Sequence, residues 1–191
     1  NIASSICYYY IAMLKRAFTL LELLIVVSIV TLLGVALLLL LNPKSQFDKA
    51  RDSRRVSDLD MLRKAFEEFY NDKGCYPRPA EICFSGSYNG NPVGNPCFIC
   101  GNEPGSPSFS PYLKKVPCDP TYPTNRYLYH VEGSDLNCPK SYKLYTKFNY
   151  DSNPASGEVG CGKGGCGPAP RFGYEYGGSS PKTQLDINKN F

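Results

Sequence analysis

Lys15-Arg16-Ala17-Phe18-Thr19-Leu20-Leu21-Glu22 runs straight into an apolar block that ends at Leu41. From Phe18 to Leu41 there are 24 residues and a single charge, Glu22. A helix of that length extends roughly 36 Å, enough to cross a hydrocarbon core of roughly 30 Å with some tilt. Little else in the chain is large enough to wrap such a helix on all sides, so it reads as a membrane or oligomer-core helix. Glu22 is the anomaly. An acid in a membrane-length apolar segment costs about 2.5–3.5 kcal/mol at the helix centre. Something has to compensate it.

Working outward toward the N-terminus, residue 1 is Asn, and Met13 is a candidate true start. Residues 1–17 read as a leader rather than as part of the fold. The chain carries 21 basic and 17 acidic side chains, a net charge of +4, and losing the leader removes Lys15 and Arg16. A balance so close to neutral gives no electrostatic argument for a nucleic-acid partner.

On the other side of the apolar block, Asn42-Pro43 predicts a kink or short break, because proline disfavours helical geometry at the residue before it. The period then changes. Val56, Leu59, Leu62, Phe66 and Phe69 recur every three or four residues, separated by Arg54, Arg55, Asp58, Asp60, Arg63, Lys64, Glu67 and Glu68. This predicts an amphipathic helix from about Ser45 to Asn71, with one apolar stripe against the following domain. Gly74 terminates it and Pro77 prevents quick resumption.

Of nine cysteines, all but Cys7 follow the apolar block: Cys75, Cys83, Cys97, Cys100, Cys118, Cys138, Cys161 and Cys166. An even number at this density reads as a disulfide framework in an oxidising compartment. The spacing leaves the pairing open. Lys44, Lys49, Arg51, Arg54 and Arg55 follow the apolar block, and on the positive-inside rule alone they would hold the C-terminal region in the cytoplasm. The thiol count argues for export and outweighs them. Cys97-Phe98-Ile99-Cys100 also has zinc-ribbon spacing, with Cys161 and Cys166 as a second pair, but disulfides are the preferred reading for an exported domain.

Residues 75–117 are rich in proline and glycine and read as loop, with short helical turns near Pro111 to Lys115. Arg126 to Val131 and Tyr142 to Tyr150 alternate with period two and predict a half-buried antiparallel pair. Arg171 to Tyr176 and Gln184 to Ile187 are weaker strand candidates. The fold class is therefore α+β: a long N-terminal helix packed on a small antiparallel sheet with disulfide-rich loops. The organisation is a leader (1–17), a membrane helix (18–41), its amphipathic continuation (42–74) and a cysteine-rich exported head with a glycine-rich tail (75–191).

No constellation points to an enzyme. His130 is the only histidine. It reads as an outward or edge-facing strand residue, with no nucleophile motif around it. Asp119, Asp135, Asp151 and Glu158 are candidate calcium ligands, but they lack EF-hand spacing and read first as solvated loop acids. No other cofactor is implied.

The opening stretch, continued through Leu23-Leu24-Ile25-Val26-Val27, resembles the class III signal and N-terminal helix of type IV pilins and type II secretion pseudopilins. The resemblance continues through Asn42-Pro43, Arg51-Asp52-Ser53-Arg54-Arg55, Asp58 and Tyr70-Asn71-Asp72-Lys73-Gly74-Cys75-Tyr76-Pro77. It reappears at Tyr112-Leu113-Lys114-Lys115-Val116-Pro117-Cys118-Asp119-Pro120 and Tyr142-Lys143-Leu144. It implies a prepilin peptidase that cuts between Ala17 and Phe18 and methylates the new Phe18 amine. It also implies assembly with other pilin or pseudopilin subunits on a pilus or secretion platform, with Glu22 paired to the Phe18 amine. The protein would sit in the bacterial cytoplasmic membrane, single-pass with its head outside, and then in a surface pilus or pseudopilus. The Leu113 to Pro120 stretch resembles the major pseudopilin, which implies a calcium ion stabilising a C-terminal loop. This chain departs from the family pattern twice: Ala17 replaces the usual glycine before the cut, and Leu39 replaces a proline in the first helix. The competing reading is a membrane-anchored extracellular binding or metal-binding module that never polymerises. Such an anchor has no need of Glu22.

Overall fold

The computed structural model describes residues 19–40, 42–84, 96–103, 105–133, 135–149, 153–159, 161, 164–168, 173–181 and 183–186. They divide into two units, the first ending at Lys44 and the second starting at Ser45.

The first unit contains helix α1, Leu20–Leu40. Thr19 caps it, its side-chain oxygen accepting a hydrogen bond from the Glu22 N–H at 3.2 Å, which satisfies one of the four unpaired donors of a helix start. The Ser28 and Thr31 hydroxyls donate back to the carbonyls of Leu24 and Ser28, at 2.7 and 2.9 Å, so neither projects an unsatisfied donor. The helix stops at Leu40. Asn42 lies in the left-handed region at φ 42°, one of the few residue types that tolerates it. The break expected at Asn42-Pro43 is present.

Helix α2 spans Pro43–Lys73. Pro43 stands at its first position, where its missing N–H costs nothing. The helix ends at Gly74 (φ 70°), whose N–H donates to the Tyr70 carbonyl at 2.7 Å, a glycine C-terminal cap. The buried stripe differs from the expected one. It comprises Asp52, Arg55, Asp58, Leu59, Leu62, Ala65, Phe66 and Phe69, while Val56 is only half-buried. The stripe is apolar in the second half of the helix and charged in the first.

The second unit is completed by a four-stranded antiparallel sheet in the order β1-β2-β3-β4: Cys97–Ile99, Tyr127–Val131, Tyr142–Thr146 and Tyr176–Ser179. Two short helices, α3 (Pro79–Ile82) and α4 (Pro154–Glu158), lie in the connections. The stretch 75–117 is thus not all loop: it holds α3 and β1. One helical turn, Leu113 N–H to the Phe109 carbonyl at 3.0 Å, falls near the expected place. The second predicted strand stops at Thr146, because the N–H groups of Phe148 and Asn149 turn to the carboxylates of Glu175 and Asp52, both at 2.9 Å. The last strand begins at Tyr176, the final residue of the expected Arg171–Tyr176 segment, and contains Gly177 and Gly178. A Cβ at Gly177 would stand 2.5 Å from the Leu144 carbonyl oxygen, so only glycine lets β4 approach β3 this closely. Gln184 to Asp186 form no strand.

The sheet is covered on both faces, which corrects the half-buried reading. On one face Leu59, Leu62 and Phe66 of α2 share a core with Tyr127, Tyr129, Val131, Tyr142 and Leu144. Phe66 meets Tyr129 and Tyr142 edge-on, with ring centroids 5.3 and 5.1 Å apart. On the other face Leu128 and Tyr145 pack with Cys161, Cys166, Val159, Tyr174 and Leu185. The glycine-rich tail supplies that cover, and alternation within the strands carries no sign of it.

All eight cysteines of the head are paired: Cys75–Cys138, Cys83–Cys97, Cys100–Cys118 and Cys161–Cys166. Cys97 and Cys100 bond to different partners, and Cys161 bonds to Cys166, so the two pairs considered for zinc are not free thiolates.

Candidate functional site

Two places combine charge with an environment that penalises it. The first is Glu22. Its helix contains a stretch, Leu20–Leu38, with mean hydropathy 2.7 and no part buried within the chain. This is the one helix among the described residues that is long and apolar enough to cross a membrane. At 21 residues α1 is about 32 Å long, matching a bilayer core of about 30 Å. Leu20, Leu21, Leu24, Val30, Leu32 and Leu38 are all exposed, far more contiguous apolar surface than a monomer normally leaves in water. Glu22 sits in the first turn, where the helix dipole favours an anion by about 0.3–1 kcal/mol. That is smaller than the penalty of about 2.5–3.5 kcal/mol that an acid meets toward the centre of such a helix. No cation pairs with its carboxylate among the described residues. Ala17 and Phe18, the expected cleavage and methylation positions, lie outside the described residues.

The second place is the charged half of the α2 stripe. Arg55 is fully buried. Its Nε donates to Asp119 Oδ2 at 2.7 Å and its Nη2 to Asp119 Oδ1 at 2.9 Å, a two-point fork. Its Nη1 donates to Asp52 Oδ1 at 2.6 Å, and Nη2 also reaches Thr121 Oγ1 at 2.9 Å. The Thr121 N–H and hydroxyl both donate to Asp119 Oδ1, at 2.8 and 2.7 Å. Asp52 accepts further bonds from Asn149 N–H and Asn153 Nδ2, at 2.9 and 3.2 Å. Burial opposes the charge on Asp119, but the hydrogen bonds from Arg55 and Thr121 outweigh it and hold its pKa below the ordinary value. Burial likewise opposes the Arg55 charge, and the bonds to Asp119 and Asp52 leave it more firmly protonated than usual. One turn on, Asp58 accepts from the Tyr127 hydroxyl at 2.8 Å. Burial pushes the Asp58 carboxyl up, with Tyr127 and Arg54 pulling against it.

This centre does structural work. It joins α2 to the loop after Cys118 and to the end of β3, with most donors and acceptors used. Sequence reading placed Arg55 and Asp58 on the polar side of α2 and Asp119 among solvated loop acids, and both placements are corrected. The signal that finds them is the period itself: Asp52, Arg55 and Asp58–Leu59 continue the three- and four-residue steps of Leu62 and Phe66.

Among the described residues no three His, Cys, Asp or Glu side chains come together as a metal-binding group. Asp135 accepts from the N–H groups of Asn137 and Cys138 at 2.9 and 3.3 Å. Glu158 ends α4, and Asp151 lies outside the described residues. His130 sits in the interior strand β2, half-buried, rather than at an edge. Its Nδ1 is buried with no hydrogen-bond partner among the described residues, and burial lowers its pKa. The chain matches no protein-family model, no curated protein and no solved structure.

Proposed function

We propose that this chain is a structural subunit of a type IV pilus or type II secretion pseudopilus. It polymerises through α1 after cleavage between Ala17 and Phe18 and methylation of the Phe18 amine. The observation that carries the reading is the pairing of opposites in α1: a membrane-length helix whose apolar side chains stand exposed, holding one acid that has no cation beside it among the described residues. Neighbouring apolar helices would bury the first. A free α-amino group at Phe18, on the same or an adjacent subunit, would neutralise the second. Inside a low-dielectric bundle such a pair attracts strongly and either member alone is costly, so it sets the register in which helices stack. The head is stapled by four disulfides, which fits exposure in an oxidising compartment. The partners are a prepilin peptidase, further subunits and an assembly platform in the membrane.

N-terminal mass spectrometry of the mature protein from its native membrane tests this reading. The chain should begin at Phe18 and carry one methyl group. A mature protein that retains Lys15-Arg16 overturns it.

A further inference from the structure

On the sheet face away from α2, one amine and two carboxylates meet. Lys143 of β3 is buried, its side chain only 4% exposed. Its Nζ lies 2.7 Å from Asp186 Oδ1 in the tail and also contacts Glu132 Oε1, just past the end of β2. Both carboxylates sit at the rim, 34% and 33% exposed. Asp186 is held at several further points. The Tyr145 hydroxyl donates to its Oδ2 at 3.1 Å, its N–H donates to the Tyr145 oxygen at 3.2 Å, and its carbonyl accepts from Gly167 N–H at 3.0 Å. His130 is directly opposite Lys143 in the β2–β3 register.

We propose that Lys143 and Asp186 form an intramolecular isopeptide bond, with Glu132 as the proton carrier. The inference does not depend on how α1 assembles. Lys143 Nζ is the nucleophile and Asp186 Cγ the electrophile. The ammonium gives a proton to Glu132, which relays it to one carboxyl oxygen of Asp186, and the freed lone pair attacks Cγ of the neutral acid. Glu132 then takes a second proton from the nitrogen and delivers it to the departing oxygen. A C–N bond forms, a C–O bond breaks, and two hydrogens leave the nitrogen in the departing water. Glu132 ends as it began, and no oxidant or activated acyl group is needed.

Ordinary amines and carboxylates in water do not condense, so the geometry must supply the drive. Groups held in contact by a fold reach effective molarities of about 10⁵–10⁸ M. The Tyr145 hydroxyl, already on Oδ2, stands where negative charge develops on the carboxyl oxygen during attack, the role of an oxyanion donor. The exposed rim gives the expelled water a way out. One effect opposes the reaction: burial works against the Lys143 charge, but its hydrogen bonds to Asp186 and Glu132 outweigh burial and favour the ammonium. The proton transfer to Glu132 is therefore the step to remove.

The test is peptide mapping of the full chain isolated with its disulfides formed, then reduced, alkylated and digested. A single branched peptide joining the Lys143 and Asp186 segments, lighter than their sum by one water, is expected in place of the two linear peptides. Glu132→Gln, with its disulfides intact, should give the two linear peptides, and Lys143→Arg should do the same. Two linear peptides from the unsubstituted protein with all four disulfides formed overturn the proposal. A branched peptide that persists in Glu132→Gln overturns the assignment of Glu132 as proton carrier.

Discussion

Arg55 and Asp119 stand 64 residues apart in the chain and meet in a two-point ion pair with neither side chain exposed. Arg55 comes from the first half of α2 and Asp119 from the loop behind Cys118. The pair therefore ties the long helix to the segment that leads into the central strands. Its energetics are lopsided. Making such a pair returns little net stability, because two ions must leave water, but removing one partner strands a buried charge at a cost of about 3–5 kcal/mol.

Asp119→Ala should accordingly destabilise the head by about 3–5 kcal/mol. At roughly 2–4 °C per kcal/mol for a domain of this size, the Tm falls by about 10 °C. Thermal unfolding followed by near-ultraviolet circular dichroism, with the protein in detergent, measures it. A loss no larger than that of an exposed control, Asp60→Ala, would show that Arg55 finds other partners.

The same carboxylate makes the head sensitive to acid. Its folded pKa lies below the ordinary 3.8. The stabilisation is therefore fully present above pH 3.8 and is lost as pH falls through the lower, folded value. Asp58 has the opposite sign: its raised pKa contributes stability that is present below 3.8 and lost as pH rises through the folded value. Mild acidification should cost little while Asp58 gains its proton, and a steeper loss should follow once Asp119 is titrated. Unfolding midpoints between pH 7 and 2 test this order, and Asp119→Asn should flatten the steep limb.

Cys118 immediately precedes Asp119, and its bridge to Cys100 closes an 18-residue separation. A loop of that size is worth about 3 kcal/mol in chain entropy. Cys100→Ser with Cys118→Ser should cost at least that much. The excess should shrink when the pair is also broken by Asp119→Ala, since the two changes act on one loop. Strict additivity in a double-mutant cycle would mean that the bridge and the ion pair act separately.

Glu22→Ala removes the acid from α1 and leaves the Lys15-Arg16-Ala17-Phe18 junction intact. The leader should still be removed, and assembled filaments should be absent. Immunoblots of membrane fractions read the first, and electron microscopy of sheared surface material reads the second. Normal filaments from this variant would remove Glu22 from assembly.

The sequence carried some of this plainly and hid the rest, for physical reasons. The apolar run that ends at Leu41 is legible because its length and composition alone set it apart from an ordinary amphipathic helix. The pair of strands around Tyr127–Val131 and Tyr142–Thr146 is legible because period two leaves a clear trace. The eight head cysteines are legible as a set, but their pairing is not, because connectivity depends on distances that only folding creates. Arg55 and Asp119 were missed because each, taken alone, resembles a solvated residue. Only their partner, far off in sequence, makes burial tolerable. The cover over Leu128 and Tyr145 was missed because Val159, Tyr174 and Leu185 are scattered through a tail with no period of its own.

The outer strands of the sheet have one more consequence. A strand with a free row of amides and carbonyls invites another chain to add on, which is how many β proteins aggregate when crowded. Here β1 is only three residues long, begins at disulfide-bonded Cys97 and is followed at once by disulfide-bonded Cys100, and its Phe98 carbonyl already accepts from Phe84 N–H at 3.3 Å. At the opposite edge, β4 is four residues long and carries Gly177 and Gly178, poor material for a growing β ladder. Copies of this head can therefore be crowded side by side with little risk of zipping together through their sheets.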